Sequence, residues 1–240
     1  MTTLCLDFGN TRLKAAVFDN DVFREEISLE NDHTDTISRL LEEVNPQRSI
    51  LASVINHNPE IESLLSSHGA FHLLSIETVL NFTSPVGKPQ TIGADRLALA
   101  AAAVHFYPGK NNLIIGLGSC ITYNFINQYH EFLGGNISPG MDMRFRAMHE
   151  YTAKLPLVQA EWNIPLIGYD TKTNLQSGVI YGIIGEIDGM IDKYEQRYGN
   201  FNVLLTGGNS AYFASQLKKR IFADSNFLFK GLYALSEINN

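Results

Sequence analysis

Four stretches of small residues punctuate the apolar runs of this chain: Gly9-Asn10-Thr11, Gly118-Ser119, Gly134-Gly135 and Thr206-Gly207-Gly208. Turns of this composition leave backbone N–H groups pointing into a concave space, where no Cβ blocks a phosphate oxygen. Any one of them also reads as a plain hairpin turn. Their arrangement adds weight. Two turns fall at matching places in two half-repeats, and a Thr-Gly-Gly precedes a helix whose N-terminus suits an anion. Asp7 closes an otherwise apolar run, where a bare carboxylate is costly unless paired or liganded. It reads as a cap for the turn, or as a ligand, direct or through water, to Mg²⁺ on a nucleotide. Lys14 on the returning strand reads as a surface lysine or as a phosphate contact. Gly93-Ala94-Asp95-Arg96 opens an alanine-rich run. Asp95 is there an N-cap or first-turn acid, or else a general base with Arg96 as an anion clamp beside it. A carboxylate to take a hydroxyl proton, a metal bridge and cationic positioning are what phosphoryl transfer asks of a protein.

Those residues need elements to hold them. Leu4 to Leu6 reads as a buried strand, Leu13 to Phe18 as its return, and Val22 to Leu29 as a third strand after Asp19-Asn20-Asp21. Thr34 to Val44 has helical spacing, Ser49 to Ile55 reads as a strand, Pro59 to Ser67 as a helix and Phe71 to Ile76 as a strand. Asn81 to Ile92 is loop-like, with Pro85, Gly87 and Pro89, and Gly93 to Phe106 is helical. Pro108-Gly109-Lys110-Asn111-Asn112 punctuates the chain, so the expected lobes are 1–108 and 109–240. The second begins with the grammar of the first: Leu113 to Ser119, Ile121 to Ile126, a turn at Asn127-Gln128, then Phe132 to Gly135. An offset of 109 lays Gly118 on Gly9 and Ser119 on Asn10, while Asp7 meets Gly116. Asp142 to His149 and Gly178 to Arg197 read as helices. Val203 to Gly208 leads into a helix from Ala211 to Lys219, and Gly231 to Ile238 reads as a short C-terminal one.

Composition narrows the classes. With 45% hydrophobic and 18% charged residues over 240 positions, the chain can bury a sizeable core and is not disordered as its main state. It carries 18 basic against 25 acidic residues, a formal charge of −7, which argues against a nucleic-acid binder. No targeting or membrane segment is expected, since the N-terminus carries Asp7 and no apolar run approaches the length of a span. Cys5 and Cys120 cannot build a disulfide framework, and a reduced, cytoplasmic setting follows. His105, His130 and His149 lack metal-ligand spacing, and no Ser-His-Asp constellation is legible. Trp162 and the aromatic residues from Phe201 to Tyr233 read as core or interface.

Taken in order, these motifs resemble the type III pantothenate kinases of the acetate and sugar kinase/Hsp70/actin superfamily. Asp7-Phe8-Gly9-Asn10-Thr11 looks like the family's first phosphate motif, and Gly93-Ala94-Asp95-Arg96 like its substrate and catalytic motif. Gly134-Gly135-Asn136-Ile137-Ser138-Pro139-Gly140 matches its GG-x-x-x-PG loop. Ala153-Lys154-Leu155-Pro156, Thr171 seven residues before Gly178, and Thr206-Gly207-Gly208 follow in family order. The resemblance implies an α/β, duplicated ribonuclease-H-like (actin-like ATPase) fold, with two lobes around a nucleotide cleft. It implies ATP-dependent phosphorylation of pantothenate to 4′-phosphopantothenate, the first step of coenzyme A synthesis, by a homodimer using Mg²⁺ and a monovalent cation, K⁺ or NH₄⁺. Carried over by position, Asp7 handles metal and phosphate and Asp95 is the base. Gly93, Arg96 and Thr171 hold pantothenate. Gly9, Asn10, Thr11, Lys14, Gly118 and Ser119 hold phosphates, and Thr206, Gly207 and Gly208 lie near the nucleotide.

The sequence departs from that pattern where the second phosphate motif normally begins with Asp, as D-x-G-T. Here it reads Gly116-Leu117-Gly118-Ser119, and Asn124 stands where a second Asp is common. Two negative charges are thereby gone from one side of the expected cleft, and with them the acid expected to help hold the monovalent cation. Asn81-Phe82 stands where the family often has Tyr. The readings open at this point are an active kinase with altered cation demand, a binding homologue that lost its chemistry, and a superfamily kinase of another substrate such as a sugar.

Overall fold

A computed structural model describes residues 1–85 and 91–239; Gly87 and Pro89 of the expected loop lie outside the described residues. Strands β1 (Thr2–Phe8), β2 (Leu13–Asp19) and β3 (Val22–Leu29) form an antiparallel meander joined by short turns. Asn20 at the second turn has φ 52°, a left-handed conformation that Asn tolerates. Helix α1 (Thr34–Val44) and helix α2 (Glu60–His68) then cross over to β4 (Arg48–Ser53) and β5 (Ala70–Leu73). Helical crossovers return strands in parallel, and the sheet order is β3-β2-β1-β4-β5.

Alternation along β1 decides where its carboxylate goes. Leu4, Leu6 and Phe8 share one face and pack with Ile37, Leu40 and Leu41 of α1 and Ile61 and Leu65 of α2. Cys5 and Asp7 therefore point to the opposite face. That face is covered by α3 (Ala94–Phe106), whose residues 97–104 are all buried, and by α7 (Phe227–Asn239) packed on α3. Arg48 fastens α7 from β4. Its guanidinium donates to Ser236 O (3.1 Å), to Glu237 Oε1 (2.9 Å) and to Thr3 Oγ1 (3.3 Å) while only 6% of the residue is exposed. Arg48→Ala strands a buried carbonyl and opens a void, so it is expected to cost about 2–3 kcal/mol in urea unfolding.

The second sheet is built from β6 (Asn112–Leu117), β7 (Cys120–Ile126), β8 (Phe132–Pro139), β9 (Asn202–Thr206) and β10 (Phe222–Ala223). Between them run α4 (Met141–Glu150), α5 (Thr171–Tyr198) and α6 (Ser210–Gln216). Its order, β10-β9-β6-β7-β8, repeats the first sheet strand for strand, with β6 in the place of β1 and β9 in that of β4. The duplicated α/β fold is thus present. Helix α5 begins seven residues before the expected Gly178, because Asp170 and Thr173 form a capping box at its start. Helix α7 begins at Phe227 rather than Gly231.

Two compact units divide the chain: Met1–Lys110 with Asn124–Gly134 and Asn226–Asn240, and Asn111–Tyr123 with Gly135–Ser225. They differ from the contiguous lobes 1–108 and 109–240. The first unit recovers the tip of the β7–β8 hairpin, where Thr83 bridges Glu131, and the C-terminal helix that Arg48 holds.

Candidate active site

In the first unit, β1 ends on Asp7 and Phe8, and the chain turns through Gly9-Asn10-Thr11-Arg12, closed by Gly9 N–H donating to Arg12 O (3.1 Å). Asn10 and Thr11 lie exposed on this turn, which walls an open cavity of about 530 Å³ together with Ser28, Glu30 and Ile55. Lys14 sits opposite Asp7 in the β1–β2 register, and its ammonium pairs with Glu26 at 2.5 Å. The lysine is therefore part of an ion pair beside Asp7 rather than a solvated surface charge.

Asp7 and Asp95 come together although 88 positions separate them (95 − 7). Burial pushes the Asp7 carboxyl up to about 7, and the Asp95 charge adds to that; Lys14 acts the other way. Asp95 is in the first turn of α3, whose N-cap is Gly93, so the N-cap reading of Asp95 is corrected. Its Oδ1 folds back to 2.6 Å from where a Cβ on Gly93 would lie. Burial raises its pKa, while the backbone N–H groups at the helix start and the Arg96 guanidinium favour its charge. Burial makes both acids harder to ionise, and the Asp95 charge adds to this at Asp7, a perturbation that marks candidate functional groups.

Arg96 turns its Nε onto Asn124 Oδ1 at 2.7 Å and lies 5.7 Å over the Phe132 ring. Asn124 is fully buried on β7 and, as an amide, holds the guanidinium without adding a charge. Phe82 packs on the same Phe132 (6.1 Å between rings), and Asn81 Nδ2 donates to Ala101 O. The Asn81-Phe82 pair thus supports the floor under Arg96.

The second unit carries the other expected residues. Gly116 lies in β6 beside Thr206 of β9, the position that Asp7 occupies in β1, and it has no side chain to offer. The following turn holds only Gly118 and Ser119, two residues against four in the first repeat. It is gripped from both sides. A Cβ on Gly140 would meet Gly118 O at 2.3 Å, and one on Gly207, at φ 104°, would meet Leu117 O at 2.2 Å. Gly207→Ala therefore adds backbone strain to a backbone clash, and a loss of about 2–4 kcal/mol in urea unfolding is expected. Thr206 is buried, and Gly208 leads through Asn209 into α6. Thr171 is exposed at the start of α5. Trp162, expected as core or interface, is 42% exposed and lies against Tyr212.

The sequence reading missed a cluster around Glu186, which accepts from Tyr123, Ser138 and Arg144. Its signal was an acid between Ile183 and Ile187 on the apolar stripe of α5.

The two five-stranded sheets form a duplicated actin-like ATPase fold, whose first unit carries a carboxylate pair beside a strand-ending small-residue turn. Solved structures agree on the fold: a putative 2-dehydro-3-deoxygalactonokinase from Sinorhizobium meliloti superposes with a TM-score of 0.59 at 12% identity, covering 98% of each chain. A conserved putative Baf family transcriptional activator from Campylobacter jejuni does so with 0.62 at 22%, again over 98% of each. The sequence model of the type III pantothenate kinases matches residues 3–193. Type III pantothenate kinases of Christiangramia forsetii (40% identical, 98% of both chains) and Bacteroides fragilis (38%, 99% of this chain and 98% of that one) align nearly throughout. The chain belongs to the type III pantothenate kinase family, ATP-using phosphotransferases of coenzyme A biosynthesis.

Proposed function

We propose that Asp95 is the base that takes the pantothenate hydroxyl proton as the phosphoryl group of ATP is transferred, with Asp7 holding the metal and phosphate end. The observation that carries this reading is the Asp7–Asp95 pair, brought together at the end of β1 and the start of α3. Arg96 clamps the pantothenate carboxylate, with Gly93 and Thr171 as further substrate contacts. Gly9, Asn10, Thr11 and Lys14 contact phosphates, as do Gly118 and Ser119, and Thr206 to Gly208 contact the nucleotide.

Mg²⁺ fits the first unit. The hard carboxylate oxygens of Asp7, whose charge the Asp95 charge opposes, favour a divalent cation. A Mg²⁺ held by Asp7, water and phosphate oxygens suits that donor set, and it would neutralise charge on the transferring phosphate. The monovalent cation does not fit in the same way. Gly116 offers no oxygen from a side chain and Asn124 no charge, so no step is assigned to K⁺ or NH₄⁺. Gly116→Asp is expected to introduce a K⁺ response in the rate, read as kcat with and without K⁺.

A coupled assay with ATP, Mg²⁺ and pantothenate tests the main reading. Turnover supports it; nucleotide or pantothenate binding without turnover under any cation favours the inactive homologue, to which the missing acid at 116 points. Arg96→Ala is expected to raise KM for pantothenate about 10–100-fold with kcat little changed, the size of a lost charge-assisted clamp.

The homodimer reading draws on exposed Tyr151, Leu166, Ile167 and Tyr169 in the second unit, apolar surface of the kind that covers an interface. Sedimentation at micromolar concentration checks it. Two free thiols favour a reducing cytoplasm. Among the described residues no helix is long and apolar enough to cross a membrane.

A further inference from the structure

Outside the acid pair, three polar side chains converge on Glu186 of α5. Its Oε1 accepts from Tyr123 Oη (2.9 Å) and Ser138 Oγ (2.5 Å), and its Oε2 from Arg144. Arg144 also donates through Nε to Pro139 O at 2.9 Å, and through its terminal nitrogen to Ser138 Oγ at 3.4 Å. The donors come from three elements: β7, the end of β8 and α4. Burial alone would raise the Glu186 carboxyl, yet hydrogen bonds from Ser138, Arg144 and Tyr123 hold it below the usual range. The carboxylate is therefore kept ionised, and three donors share one acceptor.

What the cluster fixes is the corner that bears on the second turn. Tyr123 lies on the strand that starts immediately after Ser119. Ser138 and Pro139 lead directly into Gly140, whose N–H donates to Ser119 O at 3.1 Å. Gly140 has no room to yield, because a Cβ there would meet Gly118 O at 2.3 Å and Ser119 O at 2.5 Å. A shift of the corner toward the turn is blocked by backbone, and a shift away breaks the Gly140–Ser119 bond. One carboxylate thus ties the strand leaving the turn to the corner that presses on it.

We propose that Glu186 is a positioning residue for the nucleotide: through Tyr123, Ser138 and Arg144 it sets the β8–α4 corner, which holds the Gly118–Ser119 backbone in its phosphate-receiving shape. This rests on the reading of Gly118–Ser119 as a phosphate turn. Glu186→Gln keeps the size of the side chain but faces Arg144 with an amide, and releases the corner.

The test is calorimetric titration of the full chain with a non-hydrolysable ATP analogue and Mg²⁺, alongside KM for ATP and for pantothenate. Glu186→Gln is expected to weaken analogue binding and raise KM for ATP by about tenfold, the size that outer-shell partners carry at ligand sites. KM for pantothenate should stay within about twofold, and Glu186→Asp should recover part of the loss. If a folded Glu186→Gln binds the analogue as the wild type does, or if both KM values rise together, the proposal is overturned. Gly118→Val separates the two layers. If it abolishes analogue binding while Glu186→Gln does not weaken it, only the role of Glu186 falls; if it leaves binding intact, the phosphate-turn reading falls and takes this proposal with it. Should Glu186→Gln not fold, Ser138→Ala, which removes one donor and leaves Arg144 paired, is expected to weaken analogue binding about threefold; unchanged binding there overturns the proposal equally.

Discussion

Asp95→Asn is expected to lower kcat for pantothenate phosphorylation by about 10²–10⁴-fold, the contribution of a positioned general base. The amide occupies the same volume in the first turn of α3 and can keep the backbone contacts that hold the side chain over Gly93. What it cannot do is accept a proton. Because burial lifts the Asp95 carboxyl above its ordinary value, the base works closer to neutral pH than a free aspartate would, and proton transfer to it is less uphill. KM for pantothenate should change little if, as proposed, Arg96 carries the anion contact. The measurement is kcat at saturating ATP and pantothenate, with circular dichroism to show an intact fold. A rate within a few-fold of the wild type removes Asp95 from the role.

Asp7→Asn is expected to do two opposite things: reduce activity by about 10²-fold or more and stabilise the protein at alkaline pH. The sign follows from linkage. Asp7 ionises near 3.8 in the unfolded chain and at about 7 in the folded one. A raised folded pKa means stability that is present below pH 4 and lost as pH rises through 7. The wild type therefore weakens across that window while Asp7→Asn, neutral throughout, does not. At pH 8 the variant should be more stable by about 1–2 kcal/mol, and at pH 4 the two should coincide. Urea midpoints at the two pH values, in chelator, check this. A variant less stable than the wild type at pH 8 would show that the carboxylate is compensated in the folded state. Such stability gained at the expense of activity is characteristic of residues kept for chemistry.

Much of this site could be read from the sequence because its signals are local. An aspartate at the end of an apolar strand, followed by Gly-Asn-Thr, carries its own anomaly: alternation sends Leu4, Leu6 and Phe8 into one core and turns the Asp7 carboxylate to the opposite, covered face. Asp95 and Arg96 open a helix whose alanines announce close packing. The duplication was legible for the same reason, as the second half repeats the strand and turn grammar of the first, while the order of its strands was not. What escaped were non-local pairings. Nothing near Arg96 in sequence points to Asn124, and nothing near Glu186 points to Tyr123 or Ser138; each pair closes only when distant strands come into register. The start of α5 escaped because Asn174 and Gly178 are weak helix formers, whereas the Asp170–Thr173 box that nucleates it is a matter of geometry. The exchange of segments between units escaped because it rests on long-range contacts, α7 packing on α3 and Arg48 reaching Ser236 from 188 positions away.

That exchange governs how the chain can be made. On the ribosome the first 110 residues emerge early, with the first sheet and the alanine-rich helix in hand, but the partner of that helix, α7, comes only after the whole second unit in the chain. The nascent first unit must wait, its smooth alanine flank and the Arg48 guanidinium bare, while the whole of the second unit is translated. Its completion waits for α7, and a chain cut just before α7 should be retained by chaperones rather than merely lack a tail.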